Sequence, residues 1–304
     1  AKLTLNASNT YTGTTTVSAG TLELAQSEVL DDSSDVDVAN NSATFNLAGF
    51  TETIDQLDGV SGSSVTLGNG GKLIADGGTF AGNITETGTS ELEVNDGGSG
   101  DTLKLSGSGN DFSTLDIQSG TVTLQGDLDN DTDVNLAATT SVFDLNGNDE
   151  TIDKLDGTAG SVTLGSGGKL IAAGGSFDGD ITGTGMSELE VNDGGSGDTL
   201  TLSGTGNNFS TLDIQSGTVT LTGDLANTTD VNLAATSSDF DLAGNDETID
   251  QLDGTAGSVT LGNGGTLIAA GGSFDGDITG TGMSELEVND GGSGDTLTLS
   301  GTGN

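Results

Sequence analysis

The chain has 304 residues, 53 of them glycine, and contains no Pro, Cys, His, Trp or Arg. Its five lysines, Lys2, Lys72, Lys104, Lys154 and Lys169, stand against 47 acidic residues, and the formal net charge of −42 excludes nucleic acid and an anionic membrane surface as direct partners. The absence of cysteine removes disulfides and thiol chemistry together. No apolar run approaches the roughly 20 residues of a membrane span.

Taken in chain order, residues 1–89 already carry the plan that the rest repeats, with FNLAG from Phe45 returning as FDLNG from Phe143 and TID from Thr53 returning from Thr151. The segment SELEVNDGGSGDTL then begins at Ser90, Ser187 and Ser284, a spacing of 97 residues each time. Residues 141–206 and 238–303 differ at five positions: Val142/Asp239, Asn146/Ala243, Lys154/Gln251, Ser166/Asn263 and Lys169/Thr266. Polar exchanges dominate these five, as expected of side chains facing water, while the Leu, Ile, Val and Phe positions recur unchanged as core positions do.

Inside the repeat, apolar residues fall at alternate positions: Val122/Leu124, Val134/Leu136, Phe143/Leu145, Val162/Leu164, Phe177 with Ile181, Leu189/Val191, Leu200/Leu202 and Leu212/Ile214. Alternation points both members of a pair to one side of a strand. Glycine- and Asx-rich stretches, GSGG at Gly165 and NDGG at Asn192, separate the pairs and supply the positive φ that tight corners need. Helix signals are missing. The repeat divides into five segments, 141–160, 161–176, 177–198, 199–217 and 218–237, each read as one coil of a β-helix.

The expected fold is therefore all-β, a parallel β-helix of about 16 coils of ~19–20 residues, roughly 75 Å long at the usual strand spacing. It runs as one solenoid over residues 1–304, with sequence units 1–100, 101–197 and 198–304. A coil cannot fold alone; stacking buries its apolar rows and satisfies its backbone. The ends at KLTLNASN and TLTLSGTGN fall at equivalent places in the repeat, so the native polypeptide, or a polymer of it, is expected to continue in both directions.

The segment LTLNASNTYTGTTTVSAGTLEL, Leu3 to Leu24, resembles the autotransporter-associated β-strand repeat of bacterial passenger proteins, with its strand, N-T-Y-T-G turn, T-x-V strand and G-T-L-x-L strand. DLNGNDETIDKLDGTAGSVTLGSGGKL from Asp144 and FDGDITGTG from Phe177 are similar to segments that accompany that unit. The resemblance implies a right-handed β-helix exported across the cell envelope, an adhesin or a stalk. Later units depart from it, with NDFST at Asn110 and NNFST at Asn207 in place of the N-T-Y-T-G turn.

Three chemistries have candidate residues in the chain. NDGGSGDTL at Asn95, Asn192 and Asn289 resembles the calcium-binding nonapeptide of parallel β-rolls, which makes Asp96/Asp101, Asp193/Asp198 and Asp290/Asp295 candidate Ca²⁺ ligands, although each aspartate comes one residue early and the motif occurs once per repeat. A glycine corner carrying solvated acids is the competing reading. The acidic pair Glu188/Glu190 has the composition of a glycosidase pair; but alternation puts both on one outward face and they recur as Glu91/Glu93 and Glu285/Glu287, so no enzyme and no required cofactor are expected. Thr121/Thr123 and Thr218/Thr220 have the spacing of hydroxyl ladders that meet ice or crystalline polysaccharide, but the equivalent positions in neighbouring coils carry Asp, Asn or Ser, and strand propensity explains them better. Phe143, Phe177, Phe209, Phe240 and Phe274 read as stacked core. The function expected is that of an extracellular, non-catalytic segment of a bacterial surface or biofilm-matrix fibre, with the adhesin stalk of an autotransporter passenger and a calcium-dependent secreted repeat module as the alternatives. Its expected partners are like chains, joined by end-to-end stacking or lateral cation bridging, and a host surface or polysaccharide.

Overall fold

The computed structural model describes residues 1–98, 100–289, 291 and 294–301, and every regular element among them is a β-strand. The strands pair in parallel with strands one coil away, forming a β-solenoid of about 14 turns. The expected 16 coils are too many because coils are longer than the sequence division allows. Paired residues are 19 apart at Lys72↔Glu91, but 23 apart at Leu92↔Leu115 and 25 apart at Gly78↔Leu103. The extra length lies in corners such as residues 95–101, where Gly97, Gly98 and Gly100 take φ of 58°, 86° and 85°. There glycine alone avoids the clash of Cβ with its own carbonyl.

Two compact units divide the chain, one of residues 1–146 with 150–152 and the other of 147–149 with 153–304. In the first, the strands Lys2–Leu5, Gly20–Leu24, Ala43–Asn46, Ser64–Thr66 and Asn83–Thr85 form a five-stranded parallel sheet. Its register puts Leu3, Leu22, Phe45, Val65 and Ile84 in one column. In the second, Leu200, Val219, Phe240, Val259 and Ile278 form the equivalent column. Within the columns Phe45, Val65, Ile84, Leu200, Val219, Phe240 and Val259 are fully buried. Each such side chain contributes about 1.5–3 kcal/mol relative to exposure. All the alternating pairs expected from sequence are buried, as are the five phenylalanines of the repeat.

Long strands bend round the corners of the coil. In Thr211–Leu221, the half Thr211–Ile214 pairs with Glu188–Asn192 and Asp230–Leu233, whereas the half from Gly217 pairs with Thr199–Leu202 and Ser238–Asp241. The bend falls at Gly217, whose φ is 88°. One coil of the second unit thus has a first face, residues 211–214, and a second, 218–221. A third face is crossed near Leu225, where a single bridge to Asn207 replaces the ladder. Thr218 and Thr220 stack on Thr199 and Thr201 below, but on Asp239 and Asp241 above. The threonine ladder is therefore two coils deep, with Ser176 under Thr201 and carboxylates above Thr218 and Thr220.

Candidate functional site

The corner that suggested calcium is a closed hydrogen-bonded turn. Asp96 is buried, and its carboxylate accepts N–H bonds from Gly98 at 2.8 Å, Gly100 at 2.7 Å and Asp101 at 3.1 Å. Burial alone would raise the pKa of this carboxyl; the Ser119 hydroxyl and the three amides outweigh it and hold the group below the usual carboxylate range. Asp193 repeats the arrangement, with Gly195, Gly197 and Asp198 as donors, and its pKa is lowered in the same way. The structure brings Asp96 to Asp101 and Asp193 to Asp198 through these amides, with Asp101 and Asp198 exposed. Asp295 is exposed, and Asp290 lies outside the described residues. A calcium ion at Asp96 or Asp193 would compete with amide donors for the same oxygens.

A second acidic site lies beside it. Among the described residues, Glu91, Glu93 and Asp116, and in the next copy Glu188, Glu190 and Asp213, bring ligand-capable oxygens within 4.8 Å of one another. Pairing explains the cluster, because Glu91 and Glu93 sit one coil above Lys72 and Ile74, and Asp116 one coil above Glu93. An ammonium group fills it. Lys72 Nζ lies 2.8 Å from Glu91 and 2.5 Å from Glu93, and Lys169 Nζ lies 2.7 Å from Glu188 and also pairs with Glu190. Burial lowers the pKa of Lys169, but the bonds to Glu188 and Glu190 more than reverse this and keep it charged. Glu188 and Glu190 share one side, as alternation required, and are engaged by a lysine. In the third copy Thr266 replaces that lysine, and Glu285 and Glu287 are exposed.

The third face carries polar groups that sequence reasoning missed. Asn207 is buried; its Oδ1 accepts from the Ile181 N–H at 2.9 Å, and its Nδ2 donates to the carbonyls of Gly204 and Asp224 at 2.8 and 3.0 Å. Asn110 does the same with Ile84, Gly107 and Asp127. One amide thus links three levels of the stack where the ladder fails, which explains why the asparagine of the N-T-Y-T-G turn persists when its neighbours change. Glu52, Glu150 and Glu247 are buried at matching places in the repeat. Glu52 accepts the N–H groups of Val29 and Leu30, Glu150 those of Leu128 and Thr151, and Glu247 those of Leu225 and Thr248. Burial pushes all three carboxyls up to about 7 despite these amides. Their signal was present in the sequence: each stands two residues before an inward isoleucine, Ile54, Ile152 or Ile249, and so on the inward side of the strand.

Residues 1–24 match the family model described as Passenger-associated-transport-repeat. No curated protein and no solved structure gives a match. That family implies a secreted or cell-surface protein. The match at residues 1–24, taken with the stack of parallel coils, fits the repeats of autotransporter passengers.

Proposed function

We propose that the chain is a non-catalytic, extracellular length of structural fibre on the bacterial surface, whose working properties are stiffness, reach and a repetitive acidic exterior. What supports this reading is the stack itself: apolar columns with backbone ladders, carrying a predominantly acidic surface from one 97-residue repeat to the next. Its acids are engaged in ways that hold the fold, with Glu188 and Glu190 on Lys169 and Asp193 on backbone amides. The partners proposed are like chains, joined end to end or through divalent cations that condense on a surface of net charge −42. Negative-stain imaging of the native source tests the reading, because long uniform filaments support it and dispersed globular particles would overturn it.

The passenger match favours a second reading, a stalk that holds an adhesive part away from the cell and meets a host surface or polysaccharide through that part. Short, single-ended projections in the same images would select it over the fibre.

A further inference from the structure

The 97-residue repeat does not fill a whole number of coils. In the second unit the column from Ala172 passes through Val191, Ile214, Leu233 and Gly254 to Phe274, five coils and 102 residues on (274 − 172). One sequence repeat leads from Ala172 only to Ala269, which lies in the same strand as Phe274 but before its bend at Gly272. Phe177, the counterpart of Phe274 one repeat earlier, lies on the second face, so the column that begins with a first-face residue of one repeat ends with a second-face residue of the next. From Gly175, five further coils lead to Ile278, the counterpart of Ile181. From Ile181 the contacts run through Asn207, Leu225 and Glu247 to Leu267 in four steps along the third face. Leu267 is the counterpart of Leu170, on the first face. Three repeats therefore correspond to fourteen coils, and one repeat to four and two-thirds.

Every surface feature of the repeat accordingly returns one face round from its last appearance. Glu188 and Glu190 lie on Thr211 and Asp213, whereas their copies Glu285 and Glu287 lie on Thr266 and Ile268, either side of the column that runs from Glu247 through Leu267 to Leu286. Within the second unit the two copies do not share a side. Resting on the cation-bridged fibre proposed above, we infer that second copies of this chain, joined through divalent cations, gather around it on three sides and pack as a bundle. A flat ribbon would need the repeated chemistry on one or two opposite faces.

The test adds calcium chloride to the purified chain at constant ionic strength, with sodium chloride as the control, and reads the assemblies by electron microscopy and small-angle X-ray scattering. Bundles packed in two lateral directions, dispersed by EDTA, are the expected result. Ribbons one chain thick would overturn the three-sided inference while leaving cation bridging in place. The absence of any calcium-dependent association would overturn the cation-bridged reading itself.

Discussion

Glu247 holds the amides of Leu225 and Thr248 from a buried position, and burial keeps its carboxyl protonated up to about pH 7. A carboxyl whose folded pKa lies above its unfolded value of roughly 4.3 contributes stability that is complete below that value and is lost as the pH rises through about 7. Glu52 and Glu150 act in the same direction, with Glu28 and Asp32 facing the first and Asp127 the second, while Asp224 faces Glu247. The thermal midpoint is therefore expected to fall between pH 5 and pH 8. General repulsion among carboxylates has the same sign, so the deciding comparison is the triple variant Glu52→Gln, Glu150→Gln, Glu247→Gln. It keeps an acceptor oxygen without a titrating group and should lose a measurable part of the pH dependence; an unchanged slope would remove these three groups from the account. At this scale the sequence is unevenly legible. The turn at Asp96 was legible as a glycine corner because its motif is local, whereas its amide partners and the Lys72 cluster depend on which coil lies above which. That pairing is set by corner lengths, which no local pattern reveals.

The strands themselves were legible because alternation is a property of the strand alone: the paired apolar residues from Val122 to Ile214 are all buried. The coil boundaries were not. The expected division ends a coil at Ser176 and so makes 161–176 a coil of its own, whereas Gly175 lies inside the strand Lys169–Phe177 and bends it from one face to the next. Two substitutions distinguish these roles. At Gly175, with φ of 125°, an added Cβ would lie 2.1 Å from the Leu155 carbonyl oxygen, so Gly175→Ala must displace the neighbouring coil. At Gly195, with φ of 87° and nothing within 4 Å, alanine meets only the cost of a left-handed backbone, about 1–2 kcal/mol. Urea denaturation should show the larger loss at Gly175, and equal losses would contradict its place at a packed corner. In the column itself, Leu212→Ala is expected to cost about 2–5 kcal/mol, because Leu189 and Val231 above and below it cannot close the cavity without breaking register.

For the whole molecule the dominant quantity is charge. Repulsion within a chain of net charge −42 opposes compaction and is screened over about 8 Å at physiological ionic strength. Sodium chloride should therefore raise the thermal midpoint between about 0.01 and 0.15 M, where the screening length falls from roughly 30 to 8 Å. EDTA at fixed ionic strength is expected to leave the midpoint of the dispersed chain unchanged, since the Asp96 and Asp193 oxygens are already bonded to amides. A fall would place a structural Ca²⁺ at those turns.

The polar side chains of the third face have a bearing on how such a chain assembles without error. Coils built from near-identical Leu-x-Leu and Thr-x-Thr strands offer many almost equivalent ways to stack, and hydrophobic contact alone separates them poorly. A coil that docks one place out of step leaves Asn207 or Glu247 buried without its partners, at a cost of about 1–3 kcal/mol for each stranded group. Each repeat thus carries its own alignment marks, and the stack in step is favoured over its near neighbours by that penalty at every marked coil.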